Sequence, residues 1–187
     1  MGAAKQRKER LKVILLQEAD RWSAPPSSVE TELVAELEKL DVVRVYRAPK
    51  AQLEWARMPP RYCHDNARWY EENDPECLSK AVIGWRLNQG GVYTLHSVVE
   101  REGELTCITP SAIDGEPDNF DFVRDSDIEV HRGDDDIYKF IRKGIELGYG
   151  VRKDPQKVIE AMTQIRQDLA AGVDPDKIMR ELELQFS

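Results

Sequence analysis

Apolar residues recur at helical spacing near both ends of the chain and alternate with polar ones through its middle, which predicts helices around a β-rich centre. Val29, Leu33, Leu37 and Leu40 share one helical face. Ser27 followed by Glu30 has capping-box spacing and starts that helix after the Ala24-Pro25-Pro26 break. An earlier helix is predicted over residues 5–20, and Val42 to Tyr46 reads as a strand from its β-branched content. Residues 51–57 are ambiguous. After Pro59-Pro60 a helix is predicted from Cys63 to Glu72, stopped at Asn73-Asp74-Pro75 because the residue before a proline resists helical geometry. Ala81 to Leu87, Val92 to Glu100 and Glu104 to Thr109 read as three strands. Asn88-Gln89-Gly90-Gly91 and Arg101-Glu102-Gly103 supply the turns between them, so the three form an antiparallel meander.

Beyond the meander, one short strand is predicted near Phe120 to Val123 and a helix over Ile137 to Leu147, ending at Gly148 and Gly150. Asp154-Pro155 and Asp174-Pro175 each place an N-cap aspartate before a proline at the first helical position. The two helices they open carry the stripes Val158, Met162, Ile165, Leu169 and Ile178, Leu182, and Ala171-Gly172-Val173 joins them as a helical hairpin. The fold class expected is α+β: an antiparallel sheet of three to five strands with a central cysteine-bearing helix, flanked by N- and C-terminal helices. Residues 1–47 would form an N-terminal helical segment with the first strand, 48–133 the core, and 134–187 a C-terminal helical segment.

Charge then narrows the partners. The 187 residues carry 27 basic and 35 acidic side chains, a net charge of −8, and this disfavours DNA or RNA because phosphate binding needs a basic footprint. The basic cluster Lys5, Arg7, Lys8, Arg10 and Lys12 reads as a solvated helical face, and the spacing of the acidic run over 114–136 does not match a calcium loop with glycine at its sixth position and a final glutamate. No apolar run approaches the roughly 20 residues that span a bilayer, so no membrane partner and a cytoplasmic location are expected. Three cysteines at unpatterned spacing argue against a disulfide framework.

The chemistry-bearing stretch is Arg61-Tyr62-Cys63-His64-Asp65-Asn66. A cysteine in the first turn of a helix meets unpaired amide N–H groups and the positive end of the helix dipole, which favour the thiolate and can receive an oxyanion. His96 alternates with Val92, Thr94 and Val98 on a predicted strand. Across the next turn it falls opposite either Cys107 or Thr109, according to whether the loop centres on Arg101-Glu102 or on Glu102-Gly103. His64, one residue from Cys63 on the helix, should point away. Cys63 is therefore expected as nucleophile and His96 as general base and acid. Asn66 or a backbone N–H would serve the oxyanion, Trp85 would form a wall of the cleft, and Cys107 and Thr109 would lie beside the histidine.

These residues carry a resemblance. Cys63-His64-Asp65-Asn66, Gly84-Trp85, His96-Ser97-Val98 and Cys107-Ile108-Thr109-Pro110 resemble a pattern shared by small bacterial and phage proteins of undefined activity. The layout is also similar to the core of papain-like cysteine hydrolases. The resemblance implies a thiol hydrolase or acyltransferase acting on an amide, ester or isopeptide bond, with a protein or peptide-like substrate and no cofactor. Where the pattern carries an aspartate to orient the histidine, this chain has Cys107, and Thr109, Glu104 or Asp114 would have to compensate. Two other readings use the same residues. One is an inactive binding or regulatory protein working through its acidic surface or C-terminal hairpin. The other is a zinc set of Cys63, His64, His96 and Cys107, with Cys77 as a spare, for which the sequence has no Cys-x-x-Cys or His-x-x-x-His pair.

Overall fold

A computed structural model of the chain describes residues 2–112, 116–133 and 138–185. It is an α+β fold whose contacts gather into two compact units, one built from residues 1–34, 89–92 and 152–187, the other from 35–88 and 93–151.

The larger unit is built on a strand ring rather than the open antiparallel sheet expected from the sequence. The strands β1 (Val42–Arg47), β2 (Lys80–Asn88), β3 (Val92–Arg101), β4 (Glu104–Cys107) and β5 (Asn119–Arg124) run in the order β2-β5-β1-β4-β3. A further β2–β3 pairing closes this ring into a five-stranded barrel. The meander is present as β2, β3 and β4, with Val99 opposite Thr106 and Arg101 opposite Glu104. The closure comes from β1, which lies parallel to β4 through Tyr46–Thr106 and antiparallel to β5 from Val42–Val123 to Tyr46–Asn119. Parallel neighbours need a long crossover, and helices α3 (Lys50–Trp55) and α4 (Cys63–Glu72) with β2 and β3 supply it.

Alternation along these strands sorts the core. Val45, Val82, Val98, Cys107, Phe120 and Phe122 pack together as one buried cluster, while their neighbours Val99 and Ile108 pack in a second with Ala48, Leu53, Met58 and Ala67 from the α3–α4 region. Each valine, isoleucine, leucine, methionine or phenylalanine buried here contributes roughly 1.5–3 kcal/mol relative to exposure. The β2–β5 contact depends on Gly84, since a Cβ there would lie 2.2 Å from the Val123 carbonyl oxygen.

The stretch predicted as a helix over 137–147 is extended instead, with Ile137 outside the described residues. Strands β6 (Ile128–Arg132), β7 (Tyr138–Arg142) and β8 (Ile145–Glu146) form a separate antiparallel sheet. The physical reason is the two-residue loop Lys143-Gly144, with φ of 49° and 79°, which matches the hairpin turn that needs positive φ at both positions. Phe140 and Ile141 favour the pleated geometry it connects. Arg142 fixes this hairpin. Its Nε donates to Asp125 at 2.8 Å, its guanidinium also pairs with Glu36, and Asp125 accepts the Trp85 indole N–H at 2.8 Å. Strand β9 (Gly150–Arg152) extends the barrel edge beside β3.

In the smaller unit, α1 (Ala3–Trp22) packs with α5 (Pro155–Ala170) and α6 (Pro175–Gln185) through Leu11, Leu15, Ala19, Ile165, Leu169 and Ile178. Asp154 caps α5 by accepting the Lys157 N–H at 3.0 Å, as the Asp-Pro signal predicts. Arg7 and Lys8 pair with Asp176 and Asp174 at the start of α6. Helix α2 (Ser28–Leu37) begins with the Ser27 hydroxyl accepting the Glu30 N–H at 3.1 Å. The Glu30 carboxylate binds Arg152 instead of returning to Ser27. No helix of the described residues is long and apolar enough to cross a membrane.

Candidate functional site

Cys63 is the first residue of α4, where Pro59-Pro60 and the left-handed Arg61 (φ 70°) turn the chain into the helix. A non-glycine residue at positive φ costs of order 1 kcal/mol or more, so the approach to Cys63 is strained. The preceding Tyr62 provides no side-chain cap. The Cys63 sulfur instead faces backbone N–H groups, those of Ser97 on β3 and of His64 and Cys63 at the helix start. Cys63 is buried, and burial outweighs these donors: with added repulsion from Cys107, the thiol is pushed up to about 11.

His96 enters from β3 and is buried. Its Nε2 lies 3.4 Å from the Cys107 sulfur, and its ring meets Phe120 edge-on at 5.2 Å between centroids. Extending the observed β3–β4 register places His96 opposite Thr109, as a turn centred on Glu102-Gly103 requires, with Cys107 on the same face. The Cys107 thiol is aimed at the Thr109 carbonyl oxygen at 3.7 Å. Its sulfur can then accept from Nε2–H of His96, which leaves Nδ1 as the basic atom of the ring. Burial, reinforced by the charges of Arg86, His64 and Arg47, holds His96 well below its ordinary value. Burial likewise pushes the Cys107 thiol up. At neutral pH the His96–Cys107 pair is therefore uncharged, and so is the Cys63 thiol, which meets β3 at Ser97 and, among the described residues, makes no hydrogen bond to His96.

The other residues singled out from the sequence divide between this cluster and elsewhere. Asn66 is part of it, but its amide nitrogen donates to Pro59 O at 2.9 Å and Thr109 Oγ1 at 3.1 Å, so both of its N–H donors are engaged in holding the loop before α4 and the end of β4. Trp85 is buried against Asp125 rather than beside the thiol. His64 turns to β3 and the second sheet, with Nδ1 2.7 Å from Ser97 Oγ and its ring 4.4 Å from that of Phe140. Burial brings it down to about 4 against the opposing pull of Asp65. Glu104 is exposed at the far end of β4 opposite Arg101, and Asp114 lies outside the described residues.

Three residues without a local sequence signal complete the surroundings. Arg47, at the end of β1, donates through Nε to Thr109 O at 3.0 Å and pairs with Glu116 at 3.1 Å. Arg86, on β2, also pairs with Glu116 and lies over the Phe120 ring at 4.7 Å. They sit 30 or more residues apart in the chain, and only barrel closure brings them together. Among the described residues, no three histidine, cysteine or carboxylate side chains are placed to hold a metal ion, and the zinc set is not assembled.

The fold and this cluster define an α+β protein with a buried thiol–imidazole centre on a closed five-stranded barrel. Comparison of the chain with family models, with curated proteins and with solved structures finds no match.

Proposed function

We propose that Cys63 and His96 form a cysteine-dependent acyl-transfer or hydrolytic site acting on an amide, ester or isopeptide, as the resemblance to papain-like hydrolases implies. The observation that carries this reading is the buried Cys63 sulfur at the start of α4, facing the backbone N–H of Ser97 on the strand that bears His96; the approach of His96 Nδ1 to that sulfur is part of the proposal. In the reaction the Cys63 sulfur attacks the carbonyl carbon and its proton passes to His96 Nδ1. The oxyanion is received by the backbone N–H groups of Cys63, His64 and Ser97, since Asn66 is already engaged. His96 then protonates the leaving amine or alkoxide, and a water, giving its proton to His96, hydrolyses the thioester to acid and free thiol.

A second reading rests on the burial of Cys63 and on a thiol, not a carboxylate, beside His96. In it the same fold is retained by a non-catalytic binding protein. Mass spectrometry after incubation with a p-nitrophenyl ester separates the two. The catalytic reading requires an acyl adduct on Cys63 whose formation slows by about 100-fold or more in His96→Gln, the usual range for loss of a general base. No adduct on Cys63, or equal rates in the variant, overturns it in favour of the binding protein.

A further inference from the structure

Arg47 and Arg86 converge on a single carboxylate, that of Glu116, next to the thiol–imidazole cluster. Both guanidinium groups are held independently of it. Arg47, whose side chain is only 5% exposed, donates to the Thr109 carbonyl at 3.0 Å and to the Pro117 carbonyl at 3.2 Å. Arg86 rests on Phe120, whose ring in turn touches His96 edge-on. The Arg86 Nε is buried without a hydrogen-bond partner, so the pair offers more donors than Glu116 uses. Among the described residues, the only other carboxylate on Arg47, that of Asp118 at 3.9 Å, is solvent-exposed and screened. Glu116 itself lies on the connection between β4 and β5, so its side chain can leave without breaking a strand pairing. Fixed, planar, paired guanidinium groups are the preferred receptor for a carboxylate.

We propose that Arg47 and Arg86 form a carboxylate-binding subsite, filled here by the chain's own Glu116, and that the ligand of the neighbouring site is an acyl compound bearing a free carboxylate. Naming that ligand a substrate rests on the acyl-transfer reading; the subsite itself does not. Glu116 then acts as an internal stand-in that an incoming carboxylate displaces. Ser111, which donates its hydroxyl to Glu116, would mark the rim of the same subsite.

The test uses the full chain with Glu116 removed, as Glu116→Ala or the milder Glu116→Ser. Rates of Cys63 alkylation are measured in parallel with iodoacetate and the neutral iodoacetamide. Vacating the subsite is expected to raise the iodoacetate-to-iodoacetamide ratio by about tenfold, the size of one charge-assisted hydrogen bond, and adding Arg86→Gln should return it to the wild-type ratio. A ratio unchanged by loss of Glu116 overturns the assignment of the subsite to a Cys63 substrate, and thermal melting in acetate then tests the subsite itself. If Cys63 reacts with neither reagent, thermal melting in acetate decides: an upward shift in Glu116→Ser that Arg86→Gln abolishes supports the subsite, and no shift overturns it. Neither measurement requires turnover, so a raised ratio with no acylation of Cys63 by the ester would leave a carboxylate-binding protein and remove only the enzyme.

Discussion

His96 is buried and His64 half-buried, both as neutral rings, and that has a sign in the pH dependence of stability. Burial depresses His64 from 6.5 to about 4 and takes His96 well below 6.5. Their contribution is intact above 6.5; as pH falls the unfolded chain takes up protons that the folded chain refuses, and stability drops by about 1.4 kcal/mol per pH unit for each such histidine. For His64 the decline ends near pH 4, where the folded chain is protonated too. The depressed carboxyls, Glu30, Glu36, Asp74 and Glu116, lose their contribution only below 4.5, so the interval from 6.5 to about 5 belongs to the histidines. Urea unfolding at about pH 7 and about pH 5 should show this loss, and His64→Asn should lessen it by close to one proton's worth. A slope identical in wild type and variant would mean that His64 is not the group titrating. At this scale the sequence was informative about placement and silent about state. Alternation put His96 on an inward position, whereas the burial of Cys63 depends on β3 lying over the start of α4.

Gly84 shows what element-scale sequence reasoning catches and what it misses. It belongs to the Gly-Trp pair that marks β2, but its reason appears only in the barrel, where β5 crosses so closely that a Cβ would lie 2.2 Å from Val123 O and 2.6 Å from the Phe122 ring. The first is a backbone atom in a paired strand and cannot swing aside. Gly84→Ala is therefore expected to cost at least the roughly 1–3 kcal/mol typical of overpacking, read as a lower urea midpoint, and a midpoint within error of wild type would show that β5 can give way. Elements whose signals are local were legible: the Asp154-Pro155 cap, the helix opening at Cys63, and the meander with its Glu102-Gly103 turn at φ 52° and 85°. The β7–β8 hairpin was misread as a helix because its turn is Lys-Gly, whose positive φ at lysine carries no strong composition signal. Ring closure was illegible for a different reason. The β1–β4 parallel pair joins Tyr46 to Thr106 across two helices and two strands, and no short-range pattern specifies a partner that distant.

Across the whole chain, the smaller unit is assembled from an N-terminal segment, the β2–β3 turn and a C-terminal segment, so it requires a tie between residues far apart in sequence. Arg152 is that tie. Its guanidinium donates to both carboxylate oxygens of Glu30 at 2.8 Å and to the carbonyls of Trp22 at 2.7 Å and Ala24 at 2.8 Å, and its backbone N–H also binds Glu30. Burial alone would raise the Glu30 carboxyl, but Arg152 outweighs it and holds the group below its ordinary value. With both side chains under 10% exposed, the pair is more a requirement than a bonus: removing one partner strands the other's charge away from water. Glu30→Gln should cost about 3–5 kcal/mol because Arg152 keeps its charge, whereas Glu30→Gln with Arg152→Met should cost less than either single change. Surface pairs such as Arg7–Asp176 provide the contrast, and Arg7→Ala should change stability by less than about 1 kcal/mol. Chemical unfolding of the three variants and the double variant decides it. If Glu30→Gln is as mild as Arg7→Ala, the buried pair does not hold the two ends of the chain, and the helical packing of Leu11, Leu15 and Ile165 must do so without it.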